Sequence, residues 1–307
     1  MDIIILLFGF SIGLVLLVKG ADEMVSSAIQ IALKFKLPSS IVGATFIGFG
    51  TSAPELFAST RAALKGDLDL GIGNIVGSNI ANSLLVVAVL YLALPKDYSK
   101  KINLNKISPT WMAILTTIFV STYLLTNKFP FLLGVALLVL VLYVIYKMIS
   151  SESDDEESLI EEEKSYVWLR GGMSLVATLY GSQLVVENAV EIASIFGVSS
   201  LVIGSTIIAI GTSLPEVAGT ISAAKMRKPD IVFGNIFGSN LFNIGLVGGA
   251  AIMISPGEIS SVIDYQLFIM YFVSFIVIFL SRNIIKRNSI LGYVFIALYV
   301  LFLISLF

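Results

Sequence analysis

The sequence contains no cysteine and no histidine, and it has few charged residues. Without cysteine there are no disulfides and no thiolate metal sites. Without histidine, metal binding and proton transfer must use carboxylates, hydroxyls, amides and backbone carbonyls. Charged residues make up 13% of the chain and hydrophobic residues 57%, with a mean hydropathy of +0.95. A soluble domain carries roughly 25% charged residues, so this composition indicates a membrane protein.

Ten apolar segments are long enough to cross a bilayer, which takes about 20 helical residues. We therefore expect an all-α membrane protein with ten transmembrane helices. The first and sixth segments are too long for an upright crossing, so we expect them to be strongly tilted. The second, third, seventh and eighth are rich in Gly, Ser, Thr, Asn and Pro, which is typical of membrane helices that pack closely or break. The predicted spans are residues 2–32, 39–64, 70–94, 108–126, 129–148, 166–196, 200–224, 230–254, 263–281 and 288–306.

Lysine and arginine fall almost entirely in one set of alternate loops, which holds fourteen against three in the opposite set. Basic residues accumulate on the cytoplasmic side of a membrane. We therefore expect a multi-pass plasma-membrane protein with both termini outside and residues 151–165 in the cytoplasm. This acidic stretch is interpreted as a solvated tether. The alternative, Ca²⁺ sensing, would require the spaced ligands and turn glycine of a calcium loop, which it lacks.

The sequence matches itself at a fixed offset of 161 residues. Residues 43–55 (GATFIGFGTSAPE) and 204–216 (GSTIIAIGTSLPE) are identical at eight of thirteen positions. Residues 71–82 (GIGNIVGSNIAN) and 232–243 (VFGNIFGSNLFN) are identical at seven of twelve. A single offset across several helices indicates two homologous halves rather than two chance motifs.

Each half contains five predicted spans, and an odd number of crossings turns the second half upside down relative to the first. We therefore predict two inverted repeats, residues 1–150 and 166–307, joined by the linker 151–165. Inverted repeats are typical of secondary transporters, whose sites lie near the bilayer midplane between the repeats. A duplication that only built a helix bundle would not explain why the most strongly repeated residues are polar.

Glu55 and Glu216 lie at equivalent positions near the centres of their spans, within apolar sequence. A carboxylate at that depth costs on the order of 3 kcal/mol unless something pairs with it. No lysine or arginine lies near either residue in sequence, so a mobile cation is the expected partner. The alternative is that both side chains are protonated and inert.

The residues before each glutamate also favour a cation. Pro54 and Pro215 cannot donate backbone hydrogen bonds, which leaves the carbonyls of Gly50 and Gly211 free and lets each helix loosen. Hard cations such as Ca²⁺ take six to eight oxygen ligands from carboxylates, carbonyls and water. Carbonyls near Gly48 and Ala209 and the hydroxyls of Thr51, Ser52, Thr212 and Ser213 are candidate ligands.

The third and eighth spans supply the opposite wall of the predicted site. Ser78 and Asn82 are four residues apart and share a helix face, as do Ser239 and Asn243, so these four side chains are predicted ligands. Other amides on these spans are predicted to cap helices or to hydrogen-bond across them; they are Asn74, Asn79, Asn235 and Asn240. Two carboxylates would neutralise one Ca²⁺ or two Na⁺, and competition between such loads is a physical basis for exchange.

At these motifs, GTSAPE with GNIVGSNIAN and GTSLPE with GNIFGSNLFN, the chain resembles the Na⁺/Ca²⁺ exchanger branch of the Ca²⁺/cation antiporter superfamily. The resemblance implies a fold of two inverted repeats with ten helices and the exchange of Na⁺ for Ca²⁺. It implies that Glu55 and Glu216 bind Ca²⁺ and Na⁺ in turn. It also implies flanking Na⁺ sites formed by Thr51, Ser78, Thr212 and Ser239, with the carbonyls of Gly48 and Ala209.

Two features of the motifs narrow the expected function. Some relatives, including the K⁺-dependent branch, carry aspartate where this chain has Asn243, which argues against K⁺ co-transport. The proton-coupled branch usually has asparagine where Thr51 or Thr212 stands, so Ca²⁺/H⁺ exchange is the alternative. A cation channel would share the polar lining but not the need for duplicated, inverted halves.

A membrane enzyme is disfavoured because the chain has no HExxH motif and no Cys nucleophile. No cofactor, nucleic acid or protein partner is expected; the predicted partners are Ca²⁺, Na⁺, H⁺ in the alternative, and the lipid bilayer. Within the first span, Lys19 and Glu23 lie one helical turn apart and are predicted to pair.

Overall fold

The structure, a computed structural model, describes residues 3–102, 104–150, 166–197 and 211–306, apart from the side chain of residue 262. Helices dominate these residues. Three of them contain a short π-helical segment, at Gly43–Gly48, Asn82–Val86 and Asn243–Gly248. The helices are α1 Ile3–Phe35, α2 Ser39–Thr51, α3 Ala53–Leu64, α4 Leu68–Ala93, α5 Ile107–Thr126, α6 Phe131–Ile149, α7 Val167–Ile195, α8 Leu214–Lys225, α9 Pro229–Ile254, α10 Asp264–Ser281 and α11 Ser289–Ile304.

Six of the described helices are long and apolar enough to cross a membrane: α1, α4, α5, α6, α9 and α10. α2 and α3 pass the same test together and form one broken span, bent by 45°. α11 is apolar but has only 16 residues. Each predicted span coincides with one helix or one bent pair. The exception is the seventh, 200–224, of which the structure describes only the later part, containing α8.

α4 and α9 form the centre of the bundle, whereas α1 lies at its edge. The most apolar stretch of α9 is 83% buried and that of α4 72%, against 22% for α1. α1 packs mainly along α7. Gly13 allows this close approach, because a Cβ there would lie 2.9 Å from the carbonyl oxygen of Gly181. The two helices predicted to be long and tilted are therefore neighbours that contact the rest of the molecule less than the central pair does.

Helices from the first half of the chain pack on helices from the second half. α2 lies along the first part of α9, α3 contacts its last part, and α8 contacts the last part of α4. The α2–α9 contact is backbone to backbone. A Cβ on Gly48 would lie 2.9 Å from the Ser239 amide nitrogen, and one on Gly238 would collide with the Ala44 carbonyl. The motif glycines thus bring the GTSAPE segment against the GNIFGSNLFN helix.

Four short strands were not predicted, so the described chain is helical but not purely so. β1 (Ser99–Lys101) pairs antiparallel with β4 (Ile284–Lys286), and β2 (Lys128–Phe129) pairs with β3 (Gly257–Glu258). Each pair joins the loop after the third span of one half to the loop between the fourth and fifth spans of the other. Strands of two or three residues carry too little periodicity for such pairing to be read from sequence.

The predicted pairing of Lys19 with Glu23 is wrong. Glu23 forms an ion pair with Arg170 of α7, at 2.7 Å between Oε1 and Nη2, and also accepts a hydrogen bond from Ser27. Spacing within one helix could not show that α7 brings a guanidinium group to this side chain. The acidic linker 151–165 lies outside the described residues.

Candidate cation site

Both glutamates lie in the first turn of a helix that begins at a break. α2 ends at Thr51 and α3 begins at Ala53, with Glu55 in its first turn. α8 begins at Leu214, after a turn, with Glu216 in its first turn. Proline is favoured at the start of a helix, where its missing N–H costs nothing, so Pro54 and Pro215 fit these positions. The predicted breaks are therefore present on the N-terminal side of both glutamates.

The two carboxyl groups are buried and close enough to interact electrostatically. Glu55 is 6% exposed and Glu216 is 3% exposed. The Oε2 atom of each has no hydrogen-bond partner. Ser78 interacts with the Glu55 carboxyl group, and Thr51 with that of Glu216. One buried acidic group from each half thus lies within electrostatic range of the other, and each has an acceptor oxygen without a partner.

Three further oxygens gather where α2 meets α9. The Thr51 and Ser239 hydroxyl oxygens are 3.4 Å apart, and they lie 3.5 and 3.4 Å from the Gly48 carbonyl oxygen. Thr51 is 1% exposed and Ser239 fully buried. O–H···O hydrogen bonds are usually shorter, about 2.7–2.8 Å. The three contacts are therefore long for hydrogen bonds between these oxygens, and the Gly48 carbonyl also accepts from the Ser52 amide at 3.1 Å.

Asparagines from α4 and α9 form a symmetric pair of hydrogen bonds across the bundle centre. Asn82 Nδ2 donates to Asn240 Oδ1 at 3.1 Å, and Asn243 Nδ2 donates to Asn79 Oδ1 at 3.0 Å. The roles of the two halves are exchanged between these bonds. Asn79 and Asn240 thus contact the opposite helix, as predicted for them. In these two bonds the NH₂ groups of the predicted ligands Asn82 and Asn243 act as donors. The other polar atom of the Asn243 amide, Oδ1, is buried without a partner.

The remaining predicted cross-helix amides have different partners. Asn74 Nδ2 donates to Ser59 Oγ at 3.0 Å, and Asn235 Oδ1 accepts from Ser239 Oγ at 3.3 Å. The Asn74 bond joins α3 to α4, whereas the Asn235 bond stays within α9. Only the first therefore holds two helices together directly.

The predicted ligands before Glu216 are less complete in the structure. Ser213 is buried, as is Ser52, whose Oγ has no partner. Thr212 is exposed. Ala209 lies outside the described residues. The carbonyls of Gly50 and Gly211 were predicted to be free, and both predictions are wrong. A backbone N–H at the end of α2 donates to the Gly50 carbonyl. The Gly211 carbonyl accepts a hydrogen bond from Ser182 of α7 at 3.1 Å. A hydroxyl on another helix takes the place of the missing amide, which sequence alone could not show.

Two structural features of the site were missed by the sequence analysis. The π-helical segments of α4 and α9 begin at Asn82 and Asn243 themselves, and such segments are frequent at functional sites. Ser83 also belongs to the network, because it accepts from Asn240 Nδ2 at 3.2 Å. Neither feature has a signal in residue type or spacing, apart from the equal offset of the two asparagines.

Comparisons with known proteins agree on one family. The family described as "Sodium/calcium exchanger protein" matches residues 5–151 and 166–307. The chain is 30% identical to the sodium/calcium exchanger MaX1 of Methanosarcina acetivorans, over 96% of this chain and 97% of that protein. It is 32% identical to the inner membrane protein YrbG of Escherichia coli, over 89% and 88% of the two chains. Among solved structures, the sodium-calcium exchanger NCX_Mj soaked with zero Na⁺ and Ca²⁺ superposes with a TM-score of 0.83 at 28% identity, covering all of both chains.

Proposed function

The chain belongs to the sodium/calcium exchanger family, and from that premise we propose that it exchanges Na⁺ for Ca²⁺ across a membrane by alternating access. The family and the fold are those of a cation antiporter, a transporter rather than an enzyme. The predicted family resemblance is thereby confirmed. The choice of Na⁺ as the counter-ion and the residues that bind the ions are our proposal.

The observation that carries the proposal is the pair of buried carboxyl groups contributed by the two halves. Among the described residues, no lysine or arginine forms an ion pair with Glu55 or Glu216. Two like charges in a poorly solvated site repel each other, and each loses hydration on burial. One Ca²⁺ or two Na⁺ would neutralise both groups. The same site therefore favours either load over an empty charged state.

The oxygens of Gly48, Thr51 and Ser239 support a flanking cation position. An ion coordinated octahedrally at about 2.4 Å needs neighbouring ligand oxygens about 3.4 Å apart. The three measured separations are 3.4, 3.4 and 3.5 Å. We assign this triad to one Na⁺, next to the carboxyl group of Glu216, with which Thr51 interacts. Ser78, Thr212 and Ala209 are the equivalent candidates in the other half. Ser52 and Ser213, which follow Thr51 and Thr212 in the sequence, are further candidates.

The asparagine network supports a ligand role for Asn82 and Asn243. An amide can present either an oxygen or an NH₂ group to its surroundings. Here the NH₂ group of each is bound by an acceptor, Asn240 or Asn79, on the opposite helix. In this proposal the amide oxygens face a cation, and Asn243 Oδ1, which is buried without a partner, supports that role. Asn79 and Asn240 are therefore positioning residues in this proposal, and Asn82 and Asn243 are ligands.

We further propose that residues 1–150 and 166–307 are inverted five-helix repeats, giving ten transmembrane helices. The two strand pairs support this arrangement. The loops joined by β1 and β4 are both on the basic side predicted to be cytoplasmic, and the loops joined by β2 and β3 are both on the opposite side. An ion pair between Arg227 and Asp97, at 2.6 Å, also joins two loops of the basic side.

In this arrangement both termini are outside, the linker 151–165 is cytoplasmic, and the plasma membrane is the site of action. The partners are Ca²⁺, Na⁺ and the lipid bilayer. α1 and α7 pack mainly on each other at the edge of the bundle. They are the candidates for the part that moves against the central helices and opens the site alternately to each side.

The proposal is tested by Ca²⁺ flux in proteoliposomes under an imposed Na⁺ gradient or an imposed pH gradient. We expect Ca²⁺ uptake when a Na⁺ gradient is directed out of the proteoliposomes. We expect no uptake when only a pH gradient is imposed. Uptake that follows pH and ignores Na⁺ would mean Ca²⁺/H⁺ exchange. Conductance without counter-transport would mean a cation channel.

A further inference from the structure

A small cavity lies between α2, α8 and α9, and one of its lining residues on α8, Thr220, is one helical turn from Glu216. Its volume is about 10 Å³, and its polar lining is Thr220 and Asn235, with Ile47, Ile231 and Val232 among the apolar walls. Thr220 follows Glu216 by one helical turn of α8. It therefore lies between Glu216 and Lys225, toward the lysine- and arginine-rich loops that are predicted to be cytoplasmic. The cavity thus adjoins the proposed site on the side predicted to be cytoplasmic.

The cavity contains an unsatisfied polar group. Thr220 is 1% exposed, and its Oγ1 has no hydrogen-bond partner. Buried polar atoms are nearly always hydrogen-bonded to protein or to ordered water. A single water needs roughly 10–15 Å³ and at least two polar partners. Thr220 Oγ1 and the amide of Asn235, which is 4% exposed, supply these partners.

The equivalent pair in the first half is closed. Ser59 and Asn74 occupy the positions 161 residues earlier. Asn74 Nδ2 donates to Ser59 Oγ at 3.0 Å, and Ser59 in turn donates to the Gly71 carbonyl at 3.1 Å. The two halves thus use the same pair of positions differently. On one side a direct bond joins the helices, and on the other a space remains between the hydroxyl and the amide.

We propose that this cavity binds one water molecule, which bridges Thr220 and Asn235 and gives an ion its first contact with water on the cytoplasmic side. Asn235 Oδ1 accepts from Ser239, which in turn contacts Thr51 and the Gly48 carbonyl. A hydrogen-bonded path therefore leads from the bound water to the oxygens assigned to Na⁺. The binding of water is independent of the proposed function; its role in ion transfer rests on it.

A high-resolution crystal structure tests the water directly. We expect one density peak within hydrogen-bond distance of Thr220 Oγ1 in the wild type and in Thr220→Ser, and no peak in the isosteric Thr220→Val. An empty cavity in a wild-type map that shows other buried waters would overturn the proposal. An anomalous peak at this position in crystals soaked with Tl⁺ would also overturn it, since the occupant would then be a monovalent cation.

Transport kinetics test the role. For Thr220→Val we expect the cytoplasmic KM for Ca²⁺ to rise roughly 2- to 10-fold, the range for loss of one hydrogen bond, with the outer KM unchanged. Thr220→Ser should restore the wild-type value, and Ser59→Ala should affect the outer side instead. Equal changes on both sides would overturn the role. If the wild-type protein binds the water but shows no Na⁺-driven Ca²⁺ flux, the proposed function is wrong and the water site still stands.

Discussion

The first and second halves of the chain carry almost the same polar residues but hold them differently. Thr51 is buried against Ser239 and the Gly48 carbonyl, whereas its counterpart Thr212 is exposed. Ser59 and Asn74 are bonded directly, whereas Thr220 and Asn235 border a cavity. A carrier that were symmetric in every contact would be open to both sides or to neither. The repeat therefore supplies equivalent candidate ligands, and in the proposed mechanism the unequal contacts correspond to one state of the transport cycle.

Loss of either carboxylate should impair transport most, because one acidic group from each half is proposed to bind the same ion. Removing one charge from a buried, paired site costs about 3–5 kcal/mol, or more than about 100-fold in affinity. We expect Glu55→Gln and Glu216→Gln each to abolish Na⁺-driven ⁴⁵Ca²⁺ uptake. Glu258→Gln, on the exposed strand β3, is the control and should transport normally. A strong defect in only one glutamate variant would mean that the two halves do not share one site.

The second prediction concerns the amides that we propose orient the ligands Asn82 and Asn243. Asn240→Ala removes the acceptor for Asn82, and Asn79→Ala removes the acceptor for Asn243. Losing an outer partner of a ligand typically costs 10–100-fold in metal affinity, so we expect the Ca²⁺ KM to rise by about that factor in both variants.

Asn283→Ala removes an exposed amide two residues after the end of α10 and serves as the matched control for the amide variants. Since the two orienting bonds are related by the repeat, the two variants should behave alike. Unequal defects would show that only one of the two amides binds the ion.

A smaller effect should separate the two hydroxyl sets. Ser239→Ala removes one oxygen of the triad on α2 and α9, and Ser78→Ala removes its equivalent in the other half. We expect each to raise the Na⁺ concentration for half-maximal exchange by roughly 2- to 10-fold, the range for a single lost polar contact. We expect the two changes to appear on opposite membrane faces, measured with Na⁺ varied on one side at a time. Changes on the same face would contradict the assignment of the two sets to two flanking sites.

The smallest effect lies outside the membrane. The guanidinium of Arg227 donates to Asp97 at 2.6 Å and lowers the pKa of that carboxyl group from its ordinary value of 3.8. Because the pKa of Asp97 is lower in the folded protein, the pair stabilises the fold fully at pH values above the ordinary pKa. This stabilisation is lost as the pH falls through the lowered pKa. Because the pair is exposed, Asp97→Asn should change Tm only slightly at neutral pH and remove a small part of the acid-induced decrease. A large decrease in the Tm of Asp97→Asn at neutral pH would instead show that this contact between two loops is needed to hold the two halves together.

The sequence was most informative where the two halves agree. Glu55, Glu216 and the breaks before them could be predicted because a charged residue and a proline in an apolar span are costly and were repeated at one offset. For Asn79 and Asn240 the sequence could predict that each side chain hydrogen-bonds across helices, but not to which residue. Their partners depend on how α4 and α9 face each other, and no single-helix period encodes that.

Contacts made by α7 were the least predictable. Arg170, rather than the predicted Lys19, forms the ion pair with Glu23. Ser182 donates a hydrogen bond to the Gly211 carbonyl, which was predicted to be free. Both depend on the packing of α7 against a different helix. The π-helical segments at Asn82 and Asn243 likewise arise from local backbone geometry that propensities do not distinguish from an ordinary α-helix.

Whether the two halves share one ion site can be measured by equilibrium Ca²⁺ binding to the purified protein. If they do, bound Ca²⁺ is displaced by Na⁺, and Glu55→Gln and Glu216→Gln each lose this binding. Retention of Na⁺-displaceable Ca²⁺ by either variant would contradict a shared site.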